Sequence, residues 1–167
     1  MLRAAAELCG RRHERNPPTI AVVCGVIRKG ADMAEEPWKT EQLEILSSLP
    51  PGESVVMLNL LRFYAIARYK DSTEPCSGSE AYERYSKIAL PALAKAGASM
   101  VFMGRPAASL IGPADERWHL MLLVKYPSVD AFRSMVSAPE YQAALKHRTA
   151  ALQDSRLIPV THHTAHK

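Results

Sequence analysis

Two stretches of the chain are apolar at alternate positions and also at the positions between them. Ser54 to Phe63 (SVVMLNLLRF) sets Val55, Met57, Asn59, Leu61 and Phe63 on one side and Val56, Leu58, Leu60 and Arg62 on the other. Trp118 to Tyr126 (WHLMLLVKY) repeats the pattern, with His119, Met121, Leu123 and Lys125 sharing a side. Alternation predicts strands, and apolar residues on both sides predict strands covered on both faces.

Other segments change period. Pro37 to Leu49 carries Trp38, Leu43, Ile45, Leu46 and Leu49 among charged positions and predicts a helix stopped by Pro50-Pro51-Gly52. Ser77-Gly-Ser-Glu80 matches a capping box. After it, Ala81, Tyr82, Tyr85, Ile88, Ala89, Ala92, Leu93 and Ala96 recur at helical spacing. Pro91 should kink this helix, and Gly97 suits its C-terminal cap. Ala98 to Gly104 and Ala107 to Gly112 predict one strand broken near Pro106, or two pieces. Ser128 can cap a short helix through Val136. Ser137-Ala-Pro-Glu140 predicts a second capping box and a helix from Pro139 to Gln153. A short strand, Leu157 to Thr161, and a tail from His162 to Lys167 close the chain.

The body therefore reads β, α, β, β, α, β after a leading helix. This predicts an α+β, ferredoxin-like domain over residues 54–161, one antiparallel sheet with helices on one face. Residues 33–53 are the leading helix and linker. Helices on one face leave the other bare, and that face is apolar in both strong strands. Soluble monomers avoid large apolar patches, so a homodimer with sheets packed face to face is expected.

Four stretches together resemble a family: VVMLNLLRF, SGSEAYERYSKIALPALAKAGA, GPADERWHLMLLVKYPS and SAPEYQAALKHRTAALQDSRLIP. They look like the domain of unknown function 1330 (DUF1330) family, over about residues 54 to 160. The resemblance implies a dimeric α/β barrel built on the ferredoxin-like fold, similar to small monooxygenase-like and isomerase-like proteins. It implies no reaction.

Charge removes one class of partner. The chain has 21 Lys and Arg against 17 Asp and Glu, a net charge of +4. Residues 1–32 hold +3 of that: Arg3, Arg11, Arg12, Arg15, Arg28 and Lys29 against Glu7, Glu14 and Asp32. The remainder is close to neutral and shows no basic stripe, so no nucleic-acid partner is expected. The longest uncharged apolar run, Thr19 to Ile27, is far short of the roughly 20 residues a membrane span needs. Residues 1–32 read as a disordered extension ahead of Met33, with a targeting peptide or a signal anchor as the alternatives. Glu7 and Glu14 count against a targeting peptide. Cys76 is the one cysteine after Cys9 and Cys24, so the body has no internal disulfide and a reducing, cytoplasmic compartment is expected.

A few polar residues interrupt apolar faces. Asn59 does so on the first strong strand, where a buried amide needs a hydrogen-bond partner, either structural or a ligand. Arg148 falls on the stripe of Tyr141, Leu145 and Leu152. A guanidinium there snorkels, ties down carbonyls or a carboxylate, or binds an anion. Tyr82 and Tyr85 face the sheet as core aromatics, and Tyr85 could line a cavity with Asn59. His119 is either a satisfied structural group or the proton-transfer candidate of the strands. The THHTAH tail permits weak metal binding, but no cysteine or carboxylate completes a ligand set nearby. No metal and no cofactor is expected, and no phosphate loop or nucleophile elbow is present.

Two functional readings follow. One is a barrel cavity that binds or transforms a small apolar molecule with a polar or anionic end, held by Asn59, Tyr85 and Arg148, with His119 catalytic. The other is a non-enzymatic dimeric module whose core is filled by Leu, Met and Phe.

Overall fold

A computed structural model of the protein describes residues 44–70 and 75–162. The expected extension at 1–32, residues 37–43 of the leading helix and the end of the histidine tail lie outside them. One turn of 3-10 helix, Ile45–Ser48, is what the described residues contain of that leading helix.

Four strands form one antiparallel sheet: β1 (Val55–Phe63), β2 (Ser99–Gly104), β3 (Leu120–Tyr126) and β4 (Leu152–Val160), in spatial order β2-β3-β1-β4. Helix α1 (Gly78–Lys95) joins β1 to β2, and helices α2 (Val129–Val136) and α3 (Pro139–Ala151) join β3 to β4. This is the ferredoxin-like βαββαβ arrangement, with its second crossover split between two helices.

Local chemistry explains the helix starts. Ser77 Oγ accepts from the Glu80 amide at 3.1 Å, and the Glu80 carboxylate accepts from the Ser77 amide at 2.7 Å. The Ser77 amide and hydroxyl, both donating to it, hold the Glu80 carboxyl below its ordinary pKa. Gly78 is required by close approach: a Cβ there would sit 2.5 Å from the Tyr64 carbonyl oxygen and 2.6 Å from that of Ala151. At the other end Gly97 takes φ +69°, the left-handed conformation of a helix stop. Ser128 caps α2 by accepting from the Ala131 amide at 3.1 Å.

The register sorts the strands into two faces. Met57, Asn59 and Leu61 of β1 lie beside Val124, Leu122 and Leu120 of β3, and beside Pro159, Leu157 and Ser155 of β4. This inner face meets the helices: Phe63 packs on Tyr82 of α1, and Tyr126 on Phe132 of α2. Val55, Met57 and Leu61 are the largest fully buried side chains.

Several sequence expectations are corrected. Ala107 to Gly112 forms no strand: the β2–β3 ladder ends where Gly104 pairs with Met121, and Leu110 and Ile111 are fully exposed. Pro106 lacks an amide to extend the ladder, and β3 has no residues left opposite it. The second capping box does not form either. Ala138, not Ser137, is the N-cap of α3, and no side chain caps it. Nor does α3 reach Gln153. It ends at Ala151, and Leu152 opens β4 directly. The last strand is thus longer than Leu157 to Thr161, because Leu152 to Arg156 pair with Leu60 to Phe63.

Candidate functional site

A cavity of about 780 Å³ lies between the inner face of the sheet and the helices. Its lining includes Asn59 of β1, Tyr82 and Tyr85 of α1, Tyr141 and Arg148 of α3, and His119 just before β3. All four site residues expected from the sequence, Asn59, Tyr85, His119 and Arg148, border this one space. Met57, Leu122 and Val124 form its apolar floor, and the exposed Met100 and Met103 of the edge strand border it too.

Arg148 is the buried charge on this lining. It is 9% exposed, the one buried charged residue among those described. Its Nη2 donates to Ser155 Oγ at a long 3.5 Å. No carboxylate of the described residues pairs with it. A guanidinium carries five N–H donors, so most remain available to the cavity. The charge is tolerated partly because Arg148 sits in the last turn of α3, where the negative end of the helix dipole favours a cation.

Phenols surround it. Tyr85 and Tyr141 share a hydrogen bond, hydroxyl to hydroxyl, at 2.7 Å. The Tyr82 ring packs on both Phe63 and Tyr85, with centroids 5.3 and 5.2 Å away. The residue lines the cavity. Burial pushes the Tyr82 phenol up to about 12, although the nearby Arg148 pulls the other way. Burial raises Tyr85 and Tyr141 as well. All three therefore stay neutral near pH 7, and because one hydroxyl of the Tyr85–Tyr141 pair donates to the other, that pair leaves a single proton to offer.

Asn59 donates through Nδ2 to the Met57 carbonyl at 3.1 Å, a bond within its own strand.

His119 borders the cavity although alternation gives it the side of Met121, Leu123 and Lys125. It precedes the first residue of β3, so alternation does not govern it, and its ring borders the cavity. Its Nδ1 accepts from the Phe63 amide at 2.9 Å, and its own amide donates to the Leu61 carbonyl at 2.8 Å. The ring stacks on Phe63 with an interplanar angle of 17°. With Nδ1 occupied as an acceptor, the neutral ring carries its proton on Nε2 and presents a donor.

Sequence reasoning did not nominate Tyr82 or Tyr141 as site residues. Signals for both existed: Tyr82 shares a helix face with Tyr85 at i, i+3, and Tyr141 lies two turns before Arg148 on one stripe. Among the described residues no cluster of three or more metal-ligating side chains occurs. No helix of the described residues is long and apolar enough to cross a membrane.

The model of the domain of unknown function 1330 family matches residues 62–161. Among solved structures, a protein of unknown function from Rhodopseudomonas palustris is similar at 36% identity and TM-score 0.70, covering 76% of this chain and 95% of that one. Its methylated form gives 36% identity and TM-score 0.72, covering 77% and 95%. A protein of unknown function from Bacteroides fragilis, described as dimeric and ferredoxin-like, matches at 16% identity and TM-score 0.41, covering 64% and 94%. No curated protein matches the chain.

Proposed function

The chain belongs to the DUF1330 family, and we propose that it is a homodimer in which each protomer binds a small, mostly apolar molecule by a polar or anionic end. The observation that carries this reading is the buried Arg148, without a carboxylate partner, beside an open cavity of about 780 Å³. That volume falls within the range of small-molecule sites, roughly 300–1,000 Å³. The same volume speaks against a core filled by Leu, Met and Phe.

In this reading Arg148 and Tyr85 hold the polar end, with Asn59 accepting a donor of the ligand. His119 contributes its Nε2–H at the rim rather than withdrawing a proton. Any chemistry at the site would draw on developing negative charge being held by Arg148 and neutral phenols.

The dimer follows from the outer face. Val56, Leu58 and Leu60 lie there beside Leu123 and Met121, with Ile158 and Val160 on the far side. No helix of the described residues covers them, and Phe102, Ile158 and Val160 are 51%, 44% and 44% exposed. A second copy of the same apolar face is the self-complementary cover. Residues 1–32 are proposed as a disordered extension, residues 54–161 as the domain, and the compartment as cytoplasmic.

The test is a screen of small apolar acids, amides and alcohols by isothermal titration calorimetry. Saturable binding at one site per protomer, weakened by Arg148→Met, is expected. Absence of binding by every class contradicts the reading.

A further inference from the structure

Resting on the cavity reading above, we propose that the natural ligand is a monocarboxylate with an apolar body, and that phosphate esters and dicarboxylates are excluded. The argument is one of charge count in a confined space. The lining holds three charged side chains, Arg148, Arg105 and Glu83. Arg105 and Glu83 are exposed, where water screens them. Arg148 alone is buried, so the depth of the cavity carries one positive charge.

A single carboxylate neutralises that charge, and its two oxygens match the guanidinium fork. A phosphate monoester brings close to two negative charges at neutral pH, and the second would be buried with no cation opposite it. No other buried charge among the described residues compensates it. The remaining polar groups agree. Tyr82 and the one free proton of the hydrogen-bonded Tyr85–Tyr141 pair are neutral donors, so they add hydrogen bonds to a carboxylate without adding charge. Beyond them the wall is Met57, Leu122 and Val124, with methionines at 100 and 103 toward the edge strand. That wall suits an alkyl or aryl body, and the unbranched methionines adapt to either.

The geometry has a second consequence. An arginine buried without a carboxylate is a burden on the empty protein. Replacing it by methionine, apolar and of similar volume, should remove ligand selection without lowering the melting temperature. A purely structural arginine would behave in the opposite way.

The experiment compares octanoate, octanamide and octyl phosphate on the full chain at pH 8, by calorimetry and thermal shift. On the wild type, octanoate should bind at least tenfold more tightly than either of the others and raise the melting temperature. Arg148→Met should bind octanoate and octanamide equally and melt no lower than the wild type. Should Arg148→Met not fold, Arg148→Lys keeps the charge and should retain the octanoate preference at reduced affinity. Equal binding of octanoate and octanamide by the wild type, or tighter binding of octyl phosphate, overturns the monocarboxylate while leaving the cavity reading standing. Failure of all three to bind overturns both.

Discussion

One sheet presents two faces of opposite design. On the inner face, apolar residues from β1 and β3 are interrupted by Asn59 and overlaid by helices that bring Tyr82, Tyr85, Tyr141 and Arg148. On the outer face, Val56, Leu58 and Leu60 continue into Met121, Leu123 and Ile158, with no helix of the described residues above them. Its charged positions, Arg62, Lys125, Asp154 and Arg156, lie at strand ends or on β4. Both faces are apolar by composition. What separates them is where the polar atoms stand: clustered within the inner layer, peripheral on the outer. A concave apolar layer with a few converging polar groups suits a small ligand, whereas a flat apolar layer with a charged margin suits a protein surface.

The sharpest way to break the comparison is a charge in the centre of the outer face. Leu58 sits between Leu123 and Ile158. Leu58→Asp should weaken self-association by at least about 100-fold, since burying an unpaired carboxylate costs several kcal/mol. Sedimentation velocity would show monomer. Phe102→Glu, at a half-exposed site, should act in the same direction more mildly and leaves the core alone. Unchanged dimer in both variants would mean that the outer face is not the interface.

The inner face should answer differently. Leu61→Ala, at a residue with no exposure, should lower unfolding free energy by about 3 kcal/mol through the cavity it leaves. Chemical denaturation measures that loss, and ligand affinity should change little because Leu61 does not line the cavity.

Alkaline pH probes the phenols. Tyr82 ionises near 12 in the fold against an ordinary value near 10. The folded pKa is the higher one, so the stability it contributes is intact below pH 10 and is lost as pH rises from 10 to 12. About 2–3 kcal/mol should disappear over that window. Tyr82→Phe should flatten part of the slope in a series of denaturation curves. The smallest effect is expected for Tyr85→Phe. It leaves the Tyr141 hydroxyl without its 2.7 Å partner, at about 1 kcal/mol. Carboxylate affinity should fall several-fold with it.

Much of this division was legible in the sequence, and the exceptions have physical reasons. Alternation identified β1 and β3, and the capping box at Ser77 located the start of α1 because its chemistry is local. The register of Asn59 and the apolar stripe holding Arg148 placed both residues on the inner face. The junction of α3 with β4 was not legible. Ala150, Ala151 and Leu152 suit a helix, and the turn into β4 is set by pairing with a strand ninety residues away, not by a local stop signal. Leu110 and Ile111 looked like strand because composition cannot show that β3 has no residues left to pair with them. His119 was legible as a candidate, but parity, which gives it the side of Met121 and Leu123, could not show how it reaches the cavity. The strand begins one residue later, and the bond to the Phe63 amide turns its ring to the cavity rim. The phenol cluster was half visible: Tyr85 from its own helix face, Tyr141 through a hydrogen bond that spans 56 residues.

The two-face account is tested most directly by a crystal structure of the full chain grown with octanoate. The account predicts the carboxylate within hydrogen-bonding distance of Arg148 and a second copy packed on Leu58, Leu123 and Ile158. An inner cavity closed by side chains, or copies joined through the helices with the outer face bare, would contradict it.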